Sequence, residues 1–294
     1  NDLEDNAYKA LSKTVVHWLS YLLRTGAAHV LYAYLPTIVP SLVGVFEVPD
    51  QDLEATTAKT FIHLASSIFP SERVDQIMQL ITMLLIVHEA QHTSSASTTA
   101  AHSWKVRASI LTFIQIFGYR HHFYVLQEGK QELLFQDIMT LLKDKTLEVR
   151  EAACTTLSGF VKIANEKKGQ ELVQYFSKLA KDSLPASSKQ KQQQAEKTPE
   201  AQKMAAQAHF AVLGLSAIIR AYPYDIPEFV PRLLTQLTGF YYRKNIGQHV
   251  SNTVRKTIAD FMKYHKDLWH VHKTKFTDEE LHVLSELTSQ NYYA

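Results

Sequence analysis

The sequence is short of the residues on which disulfide-stapled and phosphate-binding folds depend. It has one cysteine, Cys154, in 294 residues, so no internal disulfide can form and the chain fits a reducing compartment. Its nine glycines are scattered, and no glycine-rich loop of the kind that cradles phosphates is present. An excess of one charge is missing too: 31 Lys and Arg stand against 29 Asp and Glu, a formal net charge of +2. Bulk charge therefore demands neither a nucleic acid nor a membrane, and we expect direct binding to neither. No apolar run reaches the roughly 18 residues that a membrane span needs. The opening "NDLEDNAYKA" lacks the basic and apolar regions of a signal peptide. It begins without Met and inside a helical pattern, which suggests the C-terminal piece of something larger.

Strand alternation is also absent, and helical periodicity takes its place. In "AYKALSKTVVHWLSYLLR", Leu11, Val15, Trp18, Leu19 and Leu22 fall on one stripe, the i, i+3/4, i+7 spacing of an amphipathic helix. The same pattern recurs along most of the chain, and we expect all nine prolines in or beside the joints between helices. The helices repeat as pairs. Val-Arg recurs at Val106–Arg107, Val149–Arg150 and Val254–Arg255. The first step is 43 residues (106 to 149), with Ile62–His63 one period upstream and Val212 one period before Val254. "LPTIVPSLV" (35–43) is echoed by "IPEFVPRLL" (226–234). A helix-pair period of about 40–47 residues marks HEAT and armadillo arrays. There one pair cannot bury its apolar stripe alone, but stacked pairs share a continuous core.

These features predict an all-α, HEAT/armadillo-like helical-repeat solenoid of about five to six helix pairs with a terminal capping helix. The pairs are expected over 1–182 and 200–275, and the capping helix and tail over 276–294. The stretch 183–199 is polar and free of aromatic residues, and reads as a mobile loop inserted in a repeat. Its Lys189, Lys191 and Lys197 leave open whether it is a plain exposed insertion or a docking segment. The recurring arginine is expected to bond an acidic or carbonyl group in a neighbouring repeat.

Candidate chemistry is sparse. "HEAQH", with His88, Glu89 and His92, matches H-E-x-x-H, in which two imidazoles one turn apart hold zinc while the Glu activates a water. We reject a metal site there: the match closes a helix, runs into "TSSASTTA", and nominates no third ligand. The histidines suit a helix C-terminus, where the dipole is negative. "HVHK" (His270, His272) and "RHH" (His121, His122) have spacings of no common zinc site and basic neighbours. Cys154 lies on an expected buried helix face and reads as a packing residue. No catalytic residue is nominated. Segment 255–275 carries six Lys and Arg against Asp260 and Asp267, either a solvated face or a meeting surface for an anionic partner.

The C-terminus is built with more care. "FTDEELHVLSEL" has Thr277 at an N-cap and Glu280 at N3, a capping box, with Phe276 and Leu281 placed to staple it. Leu281, Leu284 and Leu287 would dock this helix on the preceding pair. The last six residues, ending in Tyr292, Tyr293 and Ala294, reach at most roughly 20 Å at about 3.3–3.6 Å each.

These blocks in order resemble a known family. "LEVREAACTTLSGF", "AVLGLSAIIRAYPYDIPEFVPRLL", "VRKTIADFMKYHKDLW" and the terminal "YYA" look like the C-terminal region of the very large single-chain HEAT-repeat proteasome activators. The resemblance implies a non-enzymatic, ATP-independent cap on the proteasome core particle, with a C-terminal hydrophobic-Tyr-any motif entering a pocket between end-ring subunits and promoting gate opening. On that pattern Tyr292 is the hydrophobic position, Tyr293 the Tyr, and Ala294 supplies the carboxylate. It also implies degradation of peptides and of unfolded or acetylated proteins, acetylated histones as partners, a place in DNA repair, location in nucleus and cytoplasm, and an inositol polyphosphate ligand. For an acetyl-lysine site the nearest match is Asn165, followed by Glu166 where the family pattern has Phe. Two other readings stay open on residues alone: a generic HEAT adaptor or transport scaffold, and, remotely, a zinc metalloprotease.

Overall fold

Helix starts and stops follow local chemistry. We describe a computed structural model over residues 2–46, 48–93, 104–183, 199–243 and 246–291; for 2–5, 86–93, 199–201 and 287–291 it describes the backbone alone. Helix α1 (Asp2–Arg24) ends where Gly26 adopts φ 79°, a left-handed cap that costs glycine little. The Ala27 amide there donates to the Leu22 carbonyl and the Thr25 amide to that of Tyr21, both at 3.0 Å, satisfying carbonyls that a helix end leaves orphaned. A 3-10 turn (Ala28–Tyr34) leads into α2 (Leu35–Val45). Helix α3 (Gln51–Ser66) starts at Asp50, whose carboxylate accepts from the Leu53 amide at 2.9 Å. There follow α4 (Ser71–Thr93), α5 (Trp104–Arg120), the single turn α6 (His122–Val125), α7 (Gln131–Leu141), α8 (Leu147–Ile163) and α9 (Glu166–Ser183). Then come α10 (Pro199–Arg220), α11 (Val230–Tyr241), α12 (Gln248–His265), the turn α13 (Trp269–His272), a second 3-10 turn (Lys273–Lys275) and α14 (Asp278–Asn291). Among the described residues there is no strand, and the all-α repeat architecture expected from periodicity is what the chain adopts.

The chain divides into two compact units, Asn1–Ala153 and Cys154–Ala294, at a point within α8. In the first, α1 packs on α3 and α3 on α5, while α2 packs on α4 and α4 on α7. First helices of successive pairs thus stack on first helices, and second on second. A column of rings runs through the stack, from Phe46 to Phe61 at 6.0 Å, Phe113 at 4.5 Å and Phe117 at 5.4 Å. These phenylalanines are almost wholly buried, and burying such a side chain is worth about 1.5–3 kcal/mol. In the second unit α10 packs on α12 and α11 on α14. Helix α14, the expected terminal capping helix, docks on α11 of the preceding pair. Helices α9 and α10 approach most closely at Gly214, where any Cβ would meet the buried Phe176 ring.

Of the recurring arginines, Arg107 meets the expectation, whereas Arg150 bonds carbonyls of its own joint and Arg255 meets an aromatic ring. Arg107 donates through Nε and Nη2 to both oxygens of Asp144 in the α7–α8 joint, and its Nη2 reaches Thr146 Oγ1 at 3.2 Å. Its side chain and that of Asp144 are nearly buried. Arg150 donates to the carbonyls of Asp144 (2.7 Å) and Lys145 (2.9 Å). Arg255 lies over the Tyr241 ring, 5.8 Å from its centre. Cys154 is buried and donates to the Leu213 carbonyl at 3.3 Å, as a packing residue would.

Three expectations need correction. The step from Ile62 to Val106 does not join equivalent positions: Ile62 lies in the C-terminal half of α3 and is 39% exposed, whereas Val106 is buried in the first turn of α5. Contacts between these helices run Glu54–Lys105, Phe61–Phe113 and Ser67–His121, an offset of 51 to 54 residues. The reason is the chain between Thr93 and Trp104, which lengthens this repeat. The step from Val212 to Val254 holds, because α10 meets α12 at His209–Thr253, Ser216–Thr257 and Arg220–Asp260. Second, Pro40 lies inside α2. It has no amide to donate to the Pro36 carbonyl, and a short helix with an apolar buried face tolerates that loss. Third, Ala28–Val45 has mean hydropathy 1.4 over 18 residues, enough by length and composition for a membrane span. Here it is folded as the first 3-10 turn and α2, with Leu31, Leu35, Val39 and Leu42 in the core of the first unit.

Candidate functional site

The expected anchor sits beyond α14, so its base comes first. Thr277 Oγ1 accepts from the Glu280 amide at 3.3 Å, and Glu280 Oε2 accepts from the Thr277 amide at 2.9 Å, the reciprocal bonds of a capping box. Asp278, Glu279 and Glu280 place negative charge at the positive end of the helix. Leu284 is 3% exposed and Leu281 half-buried. Glu286 accepts from the Tyr242 hydroxyl at 3.1 Å, tying α14 to the end of α11. Phe276, just before the cap, is buried beside Phe261 (6.3 Å) and Trp269 (5.6 Å). Lys275 bonds Asp225 at 2.8 Å and the Ile226 carbonyl at 2.9 Å. The Lys275 ammonium and the Ile226 amide hold the Asp225 carboxyl below the usual range. The backbone of α14 is described to Asn291; Tyr292, Tyr293 and Ala294, like the side chain of Leu287, lie outside the described residues.

The remaining sequence candidates are dispersed. Asn165 is exposed, and its Oδ1 accepts from the Lys168 amide at 2.8 Å at the start of α9, the use expected of an asparagine N-cap. His88, Glu89 and His92 fall on the last turns of α4, with side chains outside the described residues. Among the described residues no three His, Cys, Asp or Glu side chains gather in metal-binding geometry. His121 bonds the Ser67 carbonyl at 3.1 Å and His122 that of Tyr119 at 2.8 Å. Residues 184–198, within the expected insertion, lie outside the described residues, between the end of α9 and the start of α10. In the basic segment Arg255, Lys256, Lys263, Lys266 and Lys273 are exposed, while Lys275 is drawn to Asp225 and Asp260 to Arg220 at 3.3 Å.

Two features escaped the sequence. His270 and His272 separate, one exposed and one buried, and the buried one meets His265, with Nδ1 atoms 3.0 Å apart. Their seven-residue spacing is two helical turns, a faint signal without the turn that breaks the helix between them. The other is an apolar groove of about 660 Å³ between α1, the first 3-10 turn and α2. Leu11 (63%), Trp18 (56%) and Tyr34 (62%) stand exposed along it.

First helices stacked on first and second on second, with Arg107 tying α5 to the α7–α8 joint, define a HEAT-like helical-repeat protein. The profile described as "Proteasome activator complex subunit 4-like, C-terminal" matches residues 205–294. Over 97% of its length the chain is 32% identical to proteasome activator complex subunit 4A of Danio rerio. It is 28% identical to proteasome activator subunit 4 of Arabidopsis thaliana and 26% identical to proteasome activator BLM10 of Saccharomyces cerevisiae, over 96% of its length in both cases. The chain belongs to this family, and spans 15%, 14% and 12% of the length of these three relatives.

Proposed function

We propose that the chain is the C-terminal part of an ATP-independent proteasome activator that docks on the end ring of the core particle by its last three residues. The observation that carries this reading is family membership, with the C-terminal profile running through Ala294. Tyr292 fills the apolar mouth of an inter-subunit pocket, Tyr293 enters beneath it, and the Ala294 carboxylate, ionised at neutral pH, pairs with a pocket lysine. Capture of a terminal carboxylate is a recurring recognition mode. Each ring can bury about 150–250 Å², and attachment within three residues of α14, whose backbone is helical to Asn291 rather than ending before Ser289 as the sequence suggested, limits the entropy lost on ordering. Peptide-bond cleavage belongs to the core particle; the activator opens the gate to peptides and to unfolded or acetylated proteins, in nucleus and cytoplasm.

The test uses the full-length activator with purified core particle and a fluorogenic peptide. Tyr293→Ala, or one residue appended after Ala294, should abolish the tail's share of binding and of stimulated hydrolysis. Stimulation unchanged in both variants would sink the anchor and favour a HEAT adaptor with an incidental tail.

A further inference from the structure

The buried pair His265–His272 has no part in the docking scheme above, and its geometry constrains how many protons it can hold. His265 ends α12 and is 1% exposed; His272 ends α13 and is 6% exposed. Their Nδ1 atoms are 3.0 Å apart, so one must donate and the other accept. The Tyr222 backbone favours a proton on His265. Either ring can take either role in the neutral pair. The surroundings are apolar: Phe261 lies 4.4 Å from the His265 ring, and Phe261, Trp269 and Phe276 pack on one another.

We propose that His265–His272 is a proton-sensitive latch that holds the turn after α12, and with it the start of α14, onto the body of the second unit. A single proton added to the pair can be accommodated, with one Nδ1–H donating and the other Nδ1 accepting. A second proton leaves two N–H donors facing each other at contact distance, with two imidazolium charges in an apolar pocket. The bond then fails, and the rings must part.

The neighbouring charges do not cancel this. Asp225, from the segment after α10, favours a proton on His265, but it is already bonded to Lys275 from the second 3-10 turn. On α12 itself Asp260 is paired with Arg220 of α10, and Lys263 and Lys266 are exposed cations. His270 of α13 and His282 of α14 are exposed. Burial, and then the charge of His272, hold His265 below the ordinary histidine range. The sign follows: His265 takes a proton less readily folded than unfolded, so the latch is held above the ordinary histidine range and weakens as pH falls through and below it.

The experiment is hydrogen exchange by mass spectrometry on the full-length protein from pH 7.5 to 5.0, corrected for intrinsic exchange. Peptides from α10 serve as the internal reference. Peptides covering 266–286 should lose protection at least fivefold on acidification while those of α10 do not. His272→Gln keeps a side-chain amide that can donate to His265 or accept from it but removes the second imidazole, and should flatten that response. A flat wild-type profile over 266–286 overturns the latch, and so does a wild-type-like response in His272→Gln. The wild-type profile decides alone if the variant fails to fold. Both readings are independent of whether the tail docks.

Discussion

Asp137 shows how a single buried group can oppose the fold that surrounds it. It lies on α7 at 3% exposure, its Oδ2 accepts from Thr82 Oγ1 at 2.8 Å, and burial pushes its carboxyl up to about 6. The folded state then binds a proton that the unfolded state has released, so this residue's contribution is full below about pH 4 and is lost as pH rises through about 6. A shift of that size bounds the loss at about 3 kcal/mol. Asp137→Asn should raise stability at pH 7 by about 1–2 kcal/mol, less the cost of seating its new amide hydrogens, and give no gain at pH 4. Urea melts at the two pH values check it; equal effects at both would refute the account. Residue-scale features of this kind were mostly hidden in the sequence. Arg107 could be singled out by its recurrence, but Asp144 could not be matched to it, because 37 residues and a whole helix intervene.

At the scale of elements, α14 was the most legible part of the chain. Its cap, its acidic first turn and the burial of Leu284 all follow from twelve letters, because each depends on neighbours within four residues. Thr277→Ala removes the Oγ1 acceptor and should cost about 1 kcal/mol. The first turn of α14 would then exchange its amides about fivefold faster, while α10 and α12 are unchanged; a uniform effect along the chain would mean that the cap acts on global stability instead. What the sequence hid at this scale was the partner of each helix. That α14 packs on α11 was hidden because the turn α13, with its His265–His272 contact, lies between α12 and α14 and no periodicity announces it. The interior Pro40 of α2 was missed for a related reason, since a rule about isolated helices yields to the core beneath it.

For the molecule as a whole, the repeat rule was legible but its period was not uniform. In the first unit α3 turns one face to α1, while α1 leaves the apolar stripe of Tyr8, Leu11, Val15 and Trp18 open along the groove. Exposed apolar patches of this kind drive association. The isolated 294-residue chain should therefore self-associate at micromolar concentration, and Leu11→Glu with Trp18→Glu should shift it to monomer in sedimentation velocity. A wild-type chain that is already monomeric would show that the groove is not adhesive. The unequal offsets between stacked helices, 51 to 54 residues from α3 to α5 and 40 to 44 from α10 to α12, carry a different consequence. Stacking is specified by side chains within the helices, so joints are free to gain or lose residues while the helices keep their partners. Doubling a loop costs only about 0.6 kcal/mol. Joints can thus change in length with little penalty, and the number of residues between motifs reports joint length as much as repeat period.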